Sequence, residues 1–173
     1  NDVDISAIKN SQITFLEGYL WDEGGPKKAF DKAIQNSNKV AMSLSDKFCV
    51  DRHKSKFLDL VKNKLDITFA NEQEILSLIN SSNFNDAILF GKNLKKLLVI
   101  TRGDKGSIAI NNDEVVEYGV EKNLKVVDLT GAGDLFASGF LHGYINSFSL
   151  SESLQKGTEM SSKVIQIVGA RLS

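Results

Sequence analysis

Apolar runs too short for helices recur along the chain with helical stretches between them. Ile13-Thr14-Phe15-Leu16, Lys39 to Leu44, Asp66 to Ala70 and Leu97 to Thr101 each read as a strand. Gly24-Gly25-Pro26 opens a helix after the first run, because proline suits a first helical turn. Ala29, Phe30, Ala33 and Ile34 then mark its apolar face. A second helix, beginning near Asp51, carries Phe57, Leu58, Leu60, Val61 and Leu65. Asn71 directly follows the third run and is placed to cap a helix through Ile79, and Asn83 to cap another through about Lys92. Strand runs alternating with helical stretches predict an α/β fold with a mostly parallel sheet.

After Thr101 the pattern changes. Ser107 to Ile110, Val115 to Tyr118 and Lys125 to Val127 read as shorter strands joined by turns. Asn111-Asn112-Asp113 is a natural hairpin turn, since Asn and Asp tolerate left-handed backbone. Two helices close the chain, over about 132–147 and about 151–168, the second with Ser151 as its cap.

Composition narrows the function. A length of 173 residues suits one domain with a sizeable core. A formal charge of −1 argues against a generally basic nucleic-acid surface. The single cysteine, Cys49, excludes an internal disulfide framework and a multi-cysteine zinc site, and reads as a small buried residue. Only His53 and His142 are present, which argues against a His-rich metal centre. No apolar run reaches the roughly 18 residues of a membrane span, and the first residues do not form a signal peptide. A cytoplasmic protein without a membrane partner is the expectation. Phe15, Tyr19 and Trp21 are candidate core residues.

Chemistry concentrates in Val126-Val127-Asp128-Leu129-Thr130-Gly131-Ala132-Gly133-Asp134. A strand ends, a glycine-rich turn follows, and a helix starts. The first N–H groups of a helix lack internal partners, and the helix dipole adds positive charge there. Gly131, Ala132 and Gly133 let an anion approach this backbone. Asp134 places a carboxylate beside it, suited to accepting a proton from an attacking hydroxyl, or merely to favouring the dipole.

Asp128-Leu129-Thr130-Gly131-Ala132-Gly133-Asp134 resembles the Asp-Thr-x-Gly-Ala-Gly-Asp signature of the ribokinase/PfkB family of carbohydrate and nucleoside kinases. It departs from that signature in having Leu129 where the family has threonine. Asn71-Glu72-Gln73-Glu74 resembles the family's Asn-x-x-Glu motif, and Thr101-Arg102-Gly103-Asp104-Lys105-Gly106 its Thr-x-Gly-x-x-Gly motif, in family order. Ser162 to Ala170 resembles the terminal helix and Gly-Ala turn that flank the adenine.

The resemblance implies a ribokinase-like fold, a Rossmann-type sandwich with a mostly parallel central sheet flanked by helices, and an ATP-dependent transfer of phosphate to an alcohol of a sugar or nucleoside, of adenosine, ribose or fructose type. Asp134 would be the general base, with Gly131, Ala132 and Gly133 as the anion hole. Asn71, Thr101, Gly103, Gly106, Gly169 and Ala170 would border the nucleotide, and Arg102 or Lys105 would offset its charge. Glu74 would organise Mg²⁺ through water, and backbone oxygens near Asp128 and Gly169 are candidates for K⁺. The resemblance covers essentially all of residues 1–173 but only the C-terminal, nucleotide-binding portion of the family domain. The N-terminal half and the lid are thus expected to be missing, which leaves the first strand an exposed edge inviting a homodimer. A nucleotide-binding module without catalysis is the alternative.

Overall fold

A computed structural model describes residues 3–21 and 24–172. Asn1 and Asp2, at the start of the N-terminal stretch read above, lie outside them. Six strands form one mostly parallel sheet in the order β1-β2-β3-β4-β5-β6: β1 (Thr14–Glu17), β2 (Val40–Ser43), β3 (Ile67–Asn71), β4 (Leu97–Thr101), β5 (Ser107–Asn111) and β6 (Glu114–Tyr118). Pairing is parallel from β1 to β2, with Phe15 opposite Ala41, and from β2 to β3, with Met42 opposite Thr68. The helices are α1 (Ile5–Asn10), α2 (Gly25–Asn36), α3 (Lys47–Asn63), α4 (Glu72–Ile79), α5 (Phe84–Leu94), α6 (Ala132–Ile145) and α7 (Leu150–Val164). No described helix is long and apolar enough to cross a membrane.

The chain divides into two compact units. The first comprises Asn1–Val99 and Ile110–Asp113. Its core is Met42, Leu44, Phe57, Leu65, Ile67, Ile75, Leu78 and Leu98, all essentially inaccessible. Runs of apolar residues on β2 and β3 are buried throughout, as expected of parallel strands covered on both faces. Trp21 is buried against Phe30 and Phe57, edge-on at 5.1 and 6.2 Å. Of the other candidate core aromatics, Phe15 is half-buried and Tyr19 is exposed. Cys49 is buried, as the sequence reading expects.

The second unit comprises Ile100–Ala109 and Glu114–Ser173. Helices α6 and α7 pack on each other, and α7 packs on β6. Gly139 lets them approach closely: a Cβ there would fall 2.4 Å from the Lys156 carbonyl oxygen.

Three expectations need correction. Helix α3 begins at Lys47, not near Asp51, because Asp46 caps it by accepting the Cys49 N–H at 2.6 Å. Its first turn is hard to read because Phe48 is exposed and non-helical backbone at His53 breaks the apolar period. Lys125–Val127 is not a strand. Val126 and Val127 are exposed, and the Val127 N–H donates to the Ile165 carbonyl at 2.8 Å instead of to a strand. Ser149, not Ser151, caps α7, because a capping box needs Glu152 at its third position, and Ser149 and Glu152 bond each other's backbone N–H. That helix ends at Val164 rather than near 168. Helix α1 has no counterpart in the sequence reading. It is capped by Asp4, whose carboxylate accepts from the Ser6 and Ala7 N–H groups.

Candidate active site

Asp128 organises the glycine-rich turn in the second unit. One carboxylate oxygen accepts the Thr130 N–H at 2.9 Å and its hydroxyl at 2.6 Å, a local loop that Asp favours. The other accepts the Gly169 N–H at 2.9 Å, from 41 residues further along the chain. These bonds hold the Asp128 carboxyl at about 2, the Thr130 hydroxyl contributing most. The Asp128 N–H also donates to the Ile165 carbonyl at 3.3 Å. The sequence thereby brings two separate motifs, Asp128–Asp134 and Gly169-Ala170, to one place.

Gly131 makes their contact close. Its φ is +77°, and a Cβ there would lie 2.7 Å from the Ala170 Cβ. No side chain caps α6 at Gly131. Its N-terminus therefore keeps the character of an anion site. The Ala132 N–H turns back to the Leu129 carbonyl at 3.2 Å, so the open end of the cradle lies towards Gly133 and Asp134, both exposed. A Cβ at Gly133 would meet nothing within 4 Å. Leu129 projects into solvent, 67% exposed, while the Thr130 hydroxyl is engaged by Asp128.

The Thr101–Gly106 segment also lies in the second unit. It is a tight turn closed by the Arg102 N–H on the Gly106 carbonyl at 2.8 Å. Gly103 is exposed, with no neighbour where its Cβ would be. Gly106 is buried at φ +85°, and a Cβ there would sit 2.1 Å from the Tyr118 carbonyl oxygen. Its small size thus serves the protein's own chain, and Gly103 is the glycine open to a ligand.

Asn71 and Glu74 lie in the first unit, at the C-terminal end of β3. They form a capping box. The Asn71 side chain accepts the Glu74 N–H at 2.8 Å, and the Glu74 carboxylate accepts the Asn71 N–H at 2.8 Å and its amide at 2.5 Å. Glu74 is only 4% exposed. Burial is the main cause of its rise to about 7, the Asp46 charge adds to it, and the Asn71 bonds oppose it. Asp46, just past the end of β2, is the residue the sequence reading missed here, and Tyr19, read as a core candidate, lies exposed just past β1. The Asp46 charge acts on Glu74, and burial first and Asp46 second raise the Tyr19 hydroxyl. A serine and an aspartate directly after a buried strand were the available signal for a cap at Asp46.

The donor set fits a nucleotide and its cation in a limited way. Among the described residues no group of three His, Cys, Asp or Glu side chains could hold a metal. Glu74, with both oxygens engaged, suits contact through water with a magnesium ion that keeps most of its hydration. A carboxylate has about four lone-pair positions. Asp128 uses three of them, so a monovalent cation at this turn would rely on carbonyl oxygens.

Comparison with known proteins agrees with these motifs. The model of the pfkB family carbohydrate kinases matches residues 2–173. The fold superposes on the adenosine kinase of Sinorhizobium meliloti with a TM-score of 0.94 and 39% identity, over 99% of this chain and 54% of that one. A cytidine kinase of Thermococcus kodakarensis is 36% identical over 61% of this chain and 39% of its own length. An adenosine kinase of Dictyostelium discoideum is 27% identical over 96% of this chain and 54% of its own. The chain thus spans about half or less of these relatives. Together with the ordered motifs and the ribokinase-like α/β sheet, the match over 2–173 establishes that the chain belongs to the pfkB family of carbohydrate kinases.

Proposed function

We propose that residues 1–173 are the nucleotide-binding portion of a kinase that transfers the γ-phosphate of ATP to an alcohol of a small substrate, a nucleoside or a sugar. The observation that carries this reading is the Asp128 clip. It seats an uncapped α6 N-terminus against Gly169-Ala170, with Asp134 exposed beside it. Identity leaves both acceptor classes in the proposal, at 39% to an adenosine kinase and 38% to a probable sugar kinase.

Asp134 takes the proton of the attacking hydroxyl, a role worth about 10²–10⁴-fold in rate. The backbone at Gly131, Ala132 and Gly133 accommodates negative charge on the transferring group. Asn71, Thr101, Gly103, Gly169 and Ala170 shape the nucleotide's surroundings, Gly106 holds the turn that carries Gly103, and Glu74 orders water around Mg²⁺. ATP supplies the phosphoryl group, and Mg²⁺ offsets its charge. K⁺ belongs near Asp128 and Gly169. A homodimer and a cytoplasmic setting complete the proposal.

The test is ADP release by the protein with adenosine, cytidine, ribose or fructose, Mg²⁺ and K⁺. Release with one acceptor is expected. Asp134→Asn should lower turnover by at least about 100-fold while ATP affinity stays within a few-fold. Unchanged turnover in that variant would refute the base assignment. ATP binding without release for any acceptor would favour a non-catalytic nucleotide-binding module.

A further inference from the structure

Helices α2 and α3, with Trp21 and Lys64, border an open cavity of about 450 Å³ in the first unit, within the size range of small-molecule sites. It is built from the lengths of two helices, not from the strand-end segments that carry Asn71 and Glu74. Trp21, Ile34 and Leu60 give it an apolar wall. Among the described residues it is lined by Lys27 and Lys64, by Lys56, which is engaged elsewhere in the protein, and by Asp31 and Asp59. Both carboxylates are engaged within the protein: Lys27 bonds Asp31 at 2.6 Å, and the Asn63 amide donates to Asp59 at 2.7 Å.

Trp21 adds an independent observation. It is 5% exposed, and its indole N–H, sealed from solvent, finds no hydrogen-bond partner among the described residues. A buried donor left unpaired is costly, and native structures seldom leave one. The Lys27 ammonium lies over the same indole, 4.6 Å from the ring centre. The side chain that covers the indole is therefore also one that an anion in the cavity would attract.

We propose that this cavity is a second ligand site, for a small organic anion with an apolar tail, either a carboxylate or a phosphate monoester. The tail packs on Ile34, Leu60 and the indole. The anionic head meets Lys27 and Lys64. Because Lys27 lies over the face of the indole, its engagement by the head changes the surroundings of that ring.

Trp21 is the only tryptophan in the sequence, so its emission reports this site alone. The protein is titrated, without ATP or acceptor, with acetate, hexanoate, inorganic phosphate and butyl phosphate, against sodium chloride of equal ionic strength. Calorimetry gives a second readout. Hexanoate or butyl phosphate should bind saturably, and their tail-less counterparts at least about tenfold more weakly. Which of the two binds identifies the head group. Lys27→Gln and Lys64→Gln should each weaken binding by about tenfold. Asp134→Asn should leave it unchanged, which separates this site from the proposed kinase chemistry. Four titrations indistinguishable from chloride, or midpoints unmoved in both lysine variants, would overturn the proposal.

Discussion

Replacing Glu74 by glutamine should reverse its effect on stability between acid and alkaline pH. The Glu74 carboxyl lies at about 7 in the folded chain against an ordinary value of 4.5. At 1.36 kcal/mol per pKa unit, ionising it in place costs about 3 kcal/mol. The folded state therefore holds a proton that the unfolded chain has released. The stability that Glu74 contributes is complete below 4.5 and is lost as pH rises towards 7. Glutamine keeps the shape and one acceptor for the Asn71 N–H, but loses the acceptor that meets the Asn71 amide. That loss costs about 1 kcal/mol at every pH. Glu74→Gln should thus be about 1 kcal/mol less stable than the parent near pH 4 and about 2 kcal/mol more stable near pH 8, the curves crossing at about pH 5–6. Urea denaturation at three pH values measures it. A difference independent of pH, or one growing in the opposite direction, would refute the claim that burial outweighs the Asn71 hydrogen bonds.

Gly106→Ala should destabilise by at least about 2–3 kcal/mol, from left-handed backbone strain plus overpacking, and lower Tm by several degrees. The clash is with the Tyr118 carbonyl, which a flexible side chain cannot relieve; an unchanged melting curve would show that the β6 end is free to retreat. Gly139→Ala should cost about 1–3 kcal/mol by pushing α6 from the Lys156 backbone, read as a lower urea midpoint. Asp128→Asn should speed amide exchange at Gly169, because a charge-assisted acceptor is replaced by a weaker one. Unaltered exchange there would mean that the Ile165 carbonyl bonds alone hold the turn.

Much of this was legible in the sequence, for physical reasons. Strands buried on both faces must be continuously apolar, so β2, β3 and β4 announced themselves. Asn71 and Asn83 were readable as caps because a cap depends on local chain chemistry alone. Where the signal was ambiguous, tertiary context decided. Lys125-Val126-Val127 has the composition of a strand, but the Val127 N–H finds the Ile165 carbonyl just past α7. Ser149 and Ser151 are equally good caps in isolation, and the position of Glu152 selects the first. The glycines of Thr101–Gly106 look alike in sequence, yet only contact with Tyr118 shows that Gly106 serves packing. The Asp128–Gly169 bond spans 41 residues, and no local pattern could reveal it.

Two carboxylates of this chain show how burial and hydrogen bonding compete. Asp128 accepts three hydrogen bonds near the surface and lies at about 2, so it is ionised at any physiological pH. Its charge is kept by donors that need no desolvation to reach it, and it acts as a permanent clip. Glu74 accepts two hydrogen bonds of similar length, but it is buried beside Asp46 and lies at about 7. The donors lower it, and the lost hydration raises it by more. A cation arriving near Glu74 would favour its charged form and release the proton, so binding of a hydrated divalent ion at this end of β3 should strengthen as pH rises towards 7 and level off above it. Asp128 offers no such dependence over the same range, because it has no proton left to release. The slope of divalent-ion binding against pH therefore distinguishes a cation near Glu74 from one near Asp128: a slope that vanishes in Glu74→Gln places the ion in the first unit, and a flat profile in the parent protein removes Glu74 from the metal's surroundings.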